Sequence, residues 1–372
     1  MKTSKFLLVL ILLFLSNFLS FSQEKEPYQF QQYIDNVALP VISQGRSGTC
    51  WSFATSSFLE SEVYRINGFR VDLSEMYPVR ITYEAKAWNY VMRQGKTQFS
   101  EGGLAHDVLN AVRTGGLVPD EDFAKKTVNG MLNHSGLIKK LKKVLDAYID
   151  NPEKTTDWKK EINKILDEEV GKKPSVFTYG GKTYTPESFA RFLHINPEDY
   201  ITLTSFTHRP YYDYFILNIP DNFSNGSFYN LPLNEMTRLT IEALEKGYTV
   251  SLDADVSEAT FSPKYGLAVL PENENDKERC MTEIVKEISP TPLLRQQAFE
   301  NFGTTDDHLM HITGLVKDSK GNLYFKVKNS WGGNSDRVGN DGYIYMSIPY
   351  FQMKAISVLL HKSALPSYIS AQ

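Results

Sequence analysis

Gln44-Gly45-Arg46-Ser47-Gly48-Thr49-Cys50-Trp51-Ser52-Phe53-Ala54 holds a thiol at the start of a helical pattern, behind a glycine-bearing turn and six residues after a carboxamide. From Trp51 onward Phe53, Ala54, Phe58, Leu59, Val63 and Ile66 recur at helical spacing, and Gly68 closes the pattern. Cys50 is thus placed at a helix N-terminus, where unpaired N–H groups and about +0.5 of charge favour a thiolate. Gly48 is expected to let the backbone turn tightly. The side-chain N–H of Gln44 and the backbone N–H of Cys50 could then stabilise an oxyanion in acyl transfer. The competing reading is a buried cysteine that packs as a small apolar residue.

A nucleophile needs a base, and the base needs a group to orient it. Two histidines compete in Asp306-Asp307-His308-Leu309-Met310-His311-Ile312-Thr313-Gly314. Downstream, Leu323, Phe325, Val327 and Asn329 alternate with lysines, as a strand requires. Asp318-Ser319-Lys320-Gly321 reads as the turn between the two runs. With those four residues as the loop, Lys317 faces Asn322, Met310 faces Asn329 and His308 faces Trp331. His308 and Asn329 become diagonal neighbours on one face, and His311 points to the other. A slip of one residue would reverse the choice.

Outside these strings the chain sets bounds. Its 372 residues, 41% hydrophobic and 13% aromatic, are enough for a sizeable core and exclude general disorder. Lys2 and Lys5 precede an apolar run from Phe6 to Leu15, and Ser20-Phe21-Ser22 closes it, as in a secretory leader cut after Ser22. Losing that leader takes the formal charge from −4 to −6, and an acidic chain with scattered lysines carries no footprint for nucleic acid. Only two cysteines are present, and pairing Cys50 with Cys280 would disable the nucleophile, so Cys280 is read as a free thiol in a helix. His106, His134, His194, His208 and His361 lack metal-ligand spacing, and no cofactor or metal is expected.

The Gln44…Cys50-Trp51 string, the His308 strand and Asn329-Ser330-Trp331-Gly332 resemble the three signatures of the papain-like cysteine peptidases. Gly314, six residues after His308, supports His308 over His311 by the same resemblance. Glu101-Gly102-Gly103 resembles the paired glycines that bind substrate backbone, and Gly342-Tyr343-Ile344 resembles the strand that follows the asparagine element. The long Cys50-to-His308 spacing, the run Val250 to Ser257 and the ending Val358 to Pro366 look like the bleomycin hydrolase and bacterial aminopeptidase C group.

This resemblance implies an α+β, papain-like two-lobed fold. A helical lobe carries the cysteine helix (about 23–125), and an antiparallel, β-barrel-like lobe carries His308 and Asn329 (about 236–366). A large helical and loop insertion lies at about 126–235, and a C-terminal tail at 367–372. It implies catalysis by Cys50, His308, Asn329 and Gln44, with Gly102, Gly103, Trp51 and Trp331 binding substrate. Cys50 and His308 would form a thiolate–imidazolium pair, and Trp331 would cover the His308–Asn329 contact. The expected partners are peptides, with no nucleic acid and no membrane after leader cleavage, and assembly is expected as a homo-oligomer (a hexamer in that group). Aminopeptidase action is the leading expectation. Endopeptidase action, transfer of the acyl group to an amine, and a catalytically silent binding protein stay open. The last residues, Ser367 to Gln372, do not match the tail that narrows the cleft in that group.

Overall fold

The computed structural model describes residues 27–153, 157–333 and 335–370. The expected leader, 1–22, lies outside the described residues. The chain folds as two packed parts that share one helix. That helix, α1 (Cys50–Asn67), buries every residue from Trp51 to Val63 and ends on Gly68, whose left-handed backbone donates to the Tyr64 carbonyl. It is followed by α2 (Met76–Met92) and α3 (Ala105–Gly115). Two amphipathic helices, α4 (Leu137–Asp150) and α5 (Trp158–Glu169), then bury Leu137, Leu141 and Leu145, and Trp158, Ile162 and Leu166, against the same apolar core. Arg80, fully buried on α2, ties α5 to α2 by donating to Asp167 at 2.7 Å and to the Asn163 side chain at 2.8 Å.

The second part is a sheet. Its strands are β1 (Gln31–Asp35), β4 (Tyr200–Thr204), β5 (Tyr214–Ile216), β6 (Ser227–Asn230), β7 (Val250–Ala254), β8 (Phe261–Ser262), β9 (Leu267–Ala268), β10 (His308–Lys317), β11 (Leu323–Lys328), β12 (Tyr343–Ser347) and β13 (Ala355–His361). The short hairpin β2 (Phe177–Tyr179) and β3 (Lys182–Tyr184) stands apart. The order along the sheet is β5-β6-β4-β13-β7-β10-β11-β12-β9-β8, with β1 added beside β10. No pairing among the described residues joins the two ends, so the expected barrel-like lobe is an open sheet here. It also contains two parallel pairs, β4 with β6 and β9 with β12. Three of its strands, β4 to β6, come from the 126–235 stretch and extend the sheet past β13.

Alternation decides what each face meets. On β10, Met310 and Ile312 join the sheet's own core with Leu252, Val327 and Val358. Leu309 faces the helical core instead. The tail turns into a short helix, Ser367–Ser370, with Ile369 buried against the sheet core and the Tyr368 hydroxyl donating to Glu235. Tyr368 and Ile369 are thereby held against the helix Leu233–Glu245 and the sheet core.

Candidate active site

Cys50 is the first residue of α1, and the Thr49 side chain does not cap that helix. Its hydroxyl is 2.6 Å from the Ser47 hydroxyl instead. The Ser52 and Phe53 N–H groups donate to the Thr49 carbonyl, and those of Cys50 and Trp51 are left for the sulfur and for whatever reaches it. The tight turn comes from Gly45, whose φ is +61° and whose missing Cβ makes room for the Leu132 backbone. Gly48, expected to supply that turn, has no positive φ. It is needed because the Glu101 side chain packs directly on it and accepts its N–H at 2.6 Å.

Trp51 is corrected as a substrate contact. It is 0% exposed, its indole N–H donates to the Glu101 carbonyl at 3.0 Å, and its ring packs on Gly103. A side chain in that position holds the glycine segment in place and cannot meet substrate. Gly102 is also partly taken: a Cβ there would collide with the Asp221 carboxylate, and its carbonyl accepts from Lys86 Nζ.

The hairpin delivers the histidine by a route the sequence reading missed. The loop is one residue longer than expected, so Lys317 pairs with Leu323. Asp318 closes it, its backbone N–H donating to Asn322 and its carboxylate accepting from Lys320 and Asn322. A bulge between Ile312 and Gly314, where the Ile34 carbonyl of β1 presses on Gly314, then restores the expected register, with His311 opposite Lys328. Two one-residue differences cancel, and the expected facing holds at the site.

His308 Nε2–H donates to Asn329 Oδ1 at 2.8 Å, which leaves Nδ1 as the nitrogen open to another partner. Asn329 Oδ1 also accepts the Ser330 N–H at 2.7 Å. The indole of Trp331 lies over the imidazole with ring centres 4.7 Å apart and is 37% exposed, so it shields one side of that hydrogen bond from water. His311 faces the other way, with Nδ1 3.0 Å from the Ser57 hydroxyl of α1.

Ser330 was not foreseen. Its hydroxyl donates to Gln44 Oε1 at 2.6 Å, and its carbonyl accepts the Gln44 N–H at 2.9 Å. One N–H of the Gln44 carboxamide goes to the Ser47 carbonyl at 2.7 Å. The second is free to point elsewhere. The loop that carries the orienting amide thus also fixes the carboxamide beside the thiol. No spacing rule in a single sequence reveals that link, because it spans 286 residues.

Burial dominates the electrostatics. It pushes the Cys50 thiol up to about 12, against the opposing effect of the Leu309 N–H, and Asp306 and Asp221 add negative charge nearby. It pushes the His308 imidazole down to about 4, with the Asn329 hydrogen bond opposing. Neither group ionises alone in this setting. Burial disfavours the charged form of each group alone, whereas a pair formed by passing the proton from sulfur to ring keeps the net charge at zero.

Behind α1 lies a cavity of about 200 Å³ reached by Ser57, Glu60, Glu75, His311 and Lys328. Glu60, Asp72 and Glu75 bring carboxylate oxygens within 4.8 Å of one another. Burial raises Glu75 to about 7, and the Lys328 charge opposes the burial that raises Glu60. Cys280 is a buried free thiol, but it sits in a single 3-10 turn rather than a helix of any length.

Comparison with known proteins shows what the chain is similar to. The chain is 24% identical to aminopeptidase G of Lactobacillus delbrueckii subsp. lactis over 87% of its length and 81% of that protein. It is 26% identical to aminopeptidase E of Lactobacillus helveticus over the same shares. The crystal structure of PepW from Lactobacillus rhamnosis superposes with a TM-score of 0.73 at 19% identity, covering 92% of this chain and 84% of that one. That likeness shows the papain-like α+β fold. The sequence profile of the Peptidase C1-like family matches residues 101–372, the segment that holds His308 and Asn329. A thiol at an uncapped helix start, an imidazole held by an amide, and that match over most of the chain lead to one conclusion: the protein belongs to the Peptidase C1-like family of cysteine peptidases.

Proposed function

We propose that this cysteine peptidase is an aminopeptidase that uses Cys50 as nucleophile, His308 as base and acid, and Asn329 as the group that orients the ring. The observation that carries the mechanism is the 2.8 Å hydrogen bond from His308 Nε2 to Asn329 Oδ1. It fixes the tautomer that leaves Nδ1 to take the thiol proton. Sulfur attacks the carbonyl carbon as its proton moves to Nδ1. The oxyanion is met by the Cys50 N–H and the free N–H of Gln44. His308 then protonates the leaving amine, and water, deprotonated by the same nitrogen, releases the acyl group.

The exopeptidase reading is supported by the names of the two Lactobacillus relatives, both aminopeptidases. Gly102, Gly103 and Trp331 are proposed to border the bound peptide. Export with cleavage after Ser22 and assembly as a homo-oligomer complete the proposal. N-terminal sequencing of the secreted protein and sedimentation analysis test these two. The activity is tested with alanyl-7-amido-4-methylcoumarin and its N-acetyl counterpart. Turnover of the free-amine substrate by the wild type and its loss in Cys50→Ala are expected, and retained turnover in Cys50→Ala would sink the mechanism.

A further inference from the structure

Five carboxylates gather where β7 ends and β10 begins, beside His308, and they differ in how they are held. Asp255 accepts from the Ser257 N–H and hydroxyl and from the Thr305 N–H, and Lys354 lies 3.4 Å away. Asp307 accepts from the Thr305 hydroxyl at 2.7 Å. Those two are accounted for. Asp253 is 2% exposed, and neither of its oxygens meets an N–H or O–H donor other than the Asp306 carboxyl, with which it shares a proton, among the described residues. A buried carboxylate with no other donor is costly, and such a group in a folded protein calls for an explanation.

Its position gives one. Asp253 stands directly opposite Leu309 on β10, the residue after His308 whose N–H favours the Cys50 thiolate. It shares a face with Ser251, whose hydroxyl is 3.3 Å from Thr55 of α1, so this face of β7 looks toward the cysteine helix. Facing residues in such a ladder are about 4.5–5.5 Å apart at Cβ, which puts the Asp253 carboxylate beside Leu309. Across from it, Asp221 lies on Gly102 and accepts weakly, at 3.2 Å, from Ser100 and Gln98. The nearby cation, Lys86, spends its ammonium on the Gly102 carbonyl, and no ion pair joins it to these carboxylates among the described residues.

We infer that Asp253, Asp306 and Asp221 form the subsite that receives the substrate's terminal α-ammonium. The inference rests on the aminopeptidase reading above and names the group that reads the amine. Asp221 occupies the space over Gly102 where a longer peptide would continue beyond the residue joined to the scissile bond. A substrate that ends there presents its amino terminus to three carboxylates, and its N–H donors take the place of the proton that Asp253 and Asp306 share. Burial raises Asp306 to about 7 and raises Asp253 and Asp221 as well, so an arriving cation also draws these groups toward their ionised form.

The test measures kcat and KM for Asp253→Asn, Asp306→Asn and the wild type. Substrates are alanyl-, N-acetylalanyl- and N-acetylarginylalanyl-7-amido-4-methylcoumarin. The amide replacements keep shape and remove charge, and Asp306→Asn, at a less deeply buried position on a loop, serves if Asp253→Asn does not fold. The wild type is expected to prefer the free amine. Each variant is expected to lose about 30-fold or more in kcat/KM on it, mainly through KM, with the preference over the acetylated substrate collapsing. A selective loss on the arginyl substrate would overturn the inference, because the carboxylates would then read a basic side chain. An unchanged ratio of free to acetylated turnover would overturn it too, leaving the peptidase reading intact. If the wild type turns over none of the three and Cys50 resists thiol-directed alkylation, the peptidase reading itself fails and the subsite with it.

Discussion

At the scale of residues, each proposed catalytic group is held by a neighbour the sequence did not point to. Gln44 is fixed by Ser330 and Ser47, which leaves one N–H for the oxyanion. Gln44→Ala should lower kcat by about 10²–10³ with the melting temperature unchanged, read by steady-state kinetics and calorimetry. The His308–Asn329 contact was legible from strand alternation, and the place of Cys50 at a helix start from the apolar spacing after it. Asp253 was not. In sequence it is one acid in the run Asp253-Ala254-Asp255, and only the fold distinguishes the paired acid from the unpaired one. Trp51 misled for a related reason: its neighbour is catalytic in the proposed mechanism, but helical phase turns its ring into the core. Trp51→Ala should cost about 3–5 kcal/mol in urea unfolding, the range for removing a buried aromatic ring.

Among elements, the β10–β11 hairpin shows how a facing can be foreseen while its geometry is not. Alternation reveals which residues share a face, but loop length and bulges need the third strand, here β1, whose backbone presses on Gly314. Gly314→Ala should destabilise by about 1–3 kcal/mol through that collision and reduce activity by shifting His308. Urea unfolding and kcat together check it. The junction of β9 and β12 offers a test of buried charge. Glu287 accepts from the Leu270 N–H and the Ser347 hydroxyl, and burial raises it to about 7. A carboxyl raised in the folded state adds stability below its unfolded value near 4.5, and that stability is lost as pH rises through about 7. Glu287→Gln, which keeps the acceptor, should therefore gain in melting temperature relative to wild type between pH 5 and pH 8. A constant difference would show that the carboxyl ionises without penalty.

For the whole molecule, two lobes and their order along the chain could be read from the cysteine helix at one end and the hairpin at the other. The open sheet could not, because β4, which carries β6 and β5 beyond it, pairs with β13 across more than 150 residues. The two cysteines lie in different environments, one half-buried at a helix start and one fully buried, with no bond between them. Reductant should therefore leave the melting temperature unchanged. The same pair gives the most direct measurement of the central claim, that His308 and Asn329 activate Cys50. Iodoacetamide alkylation at pH 7, followed by peptide mass spectrometry, reports both thiols in one sample, with Cys280 as the internal reference. The account predicts labelling of Cys50 far ahead of Cys280 in the wild type, falling by about 10²-fold or more in His308→Ala. Equal labelling of the two thiols, or a Cys50 rate indifferent to His308→Ala, would contradict it.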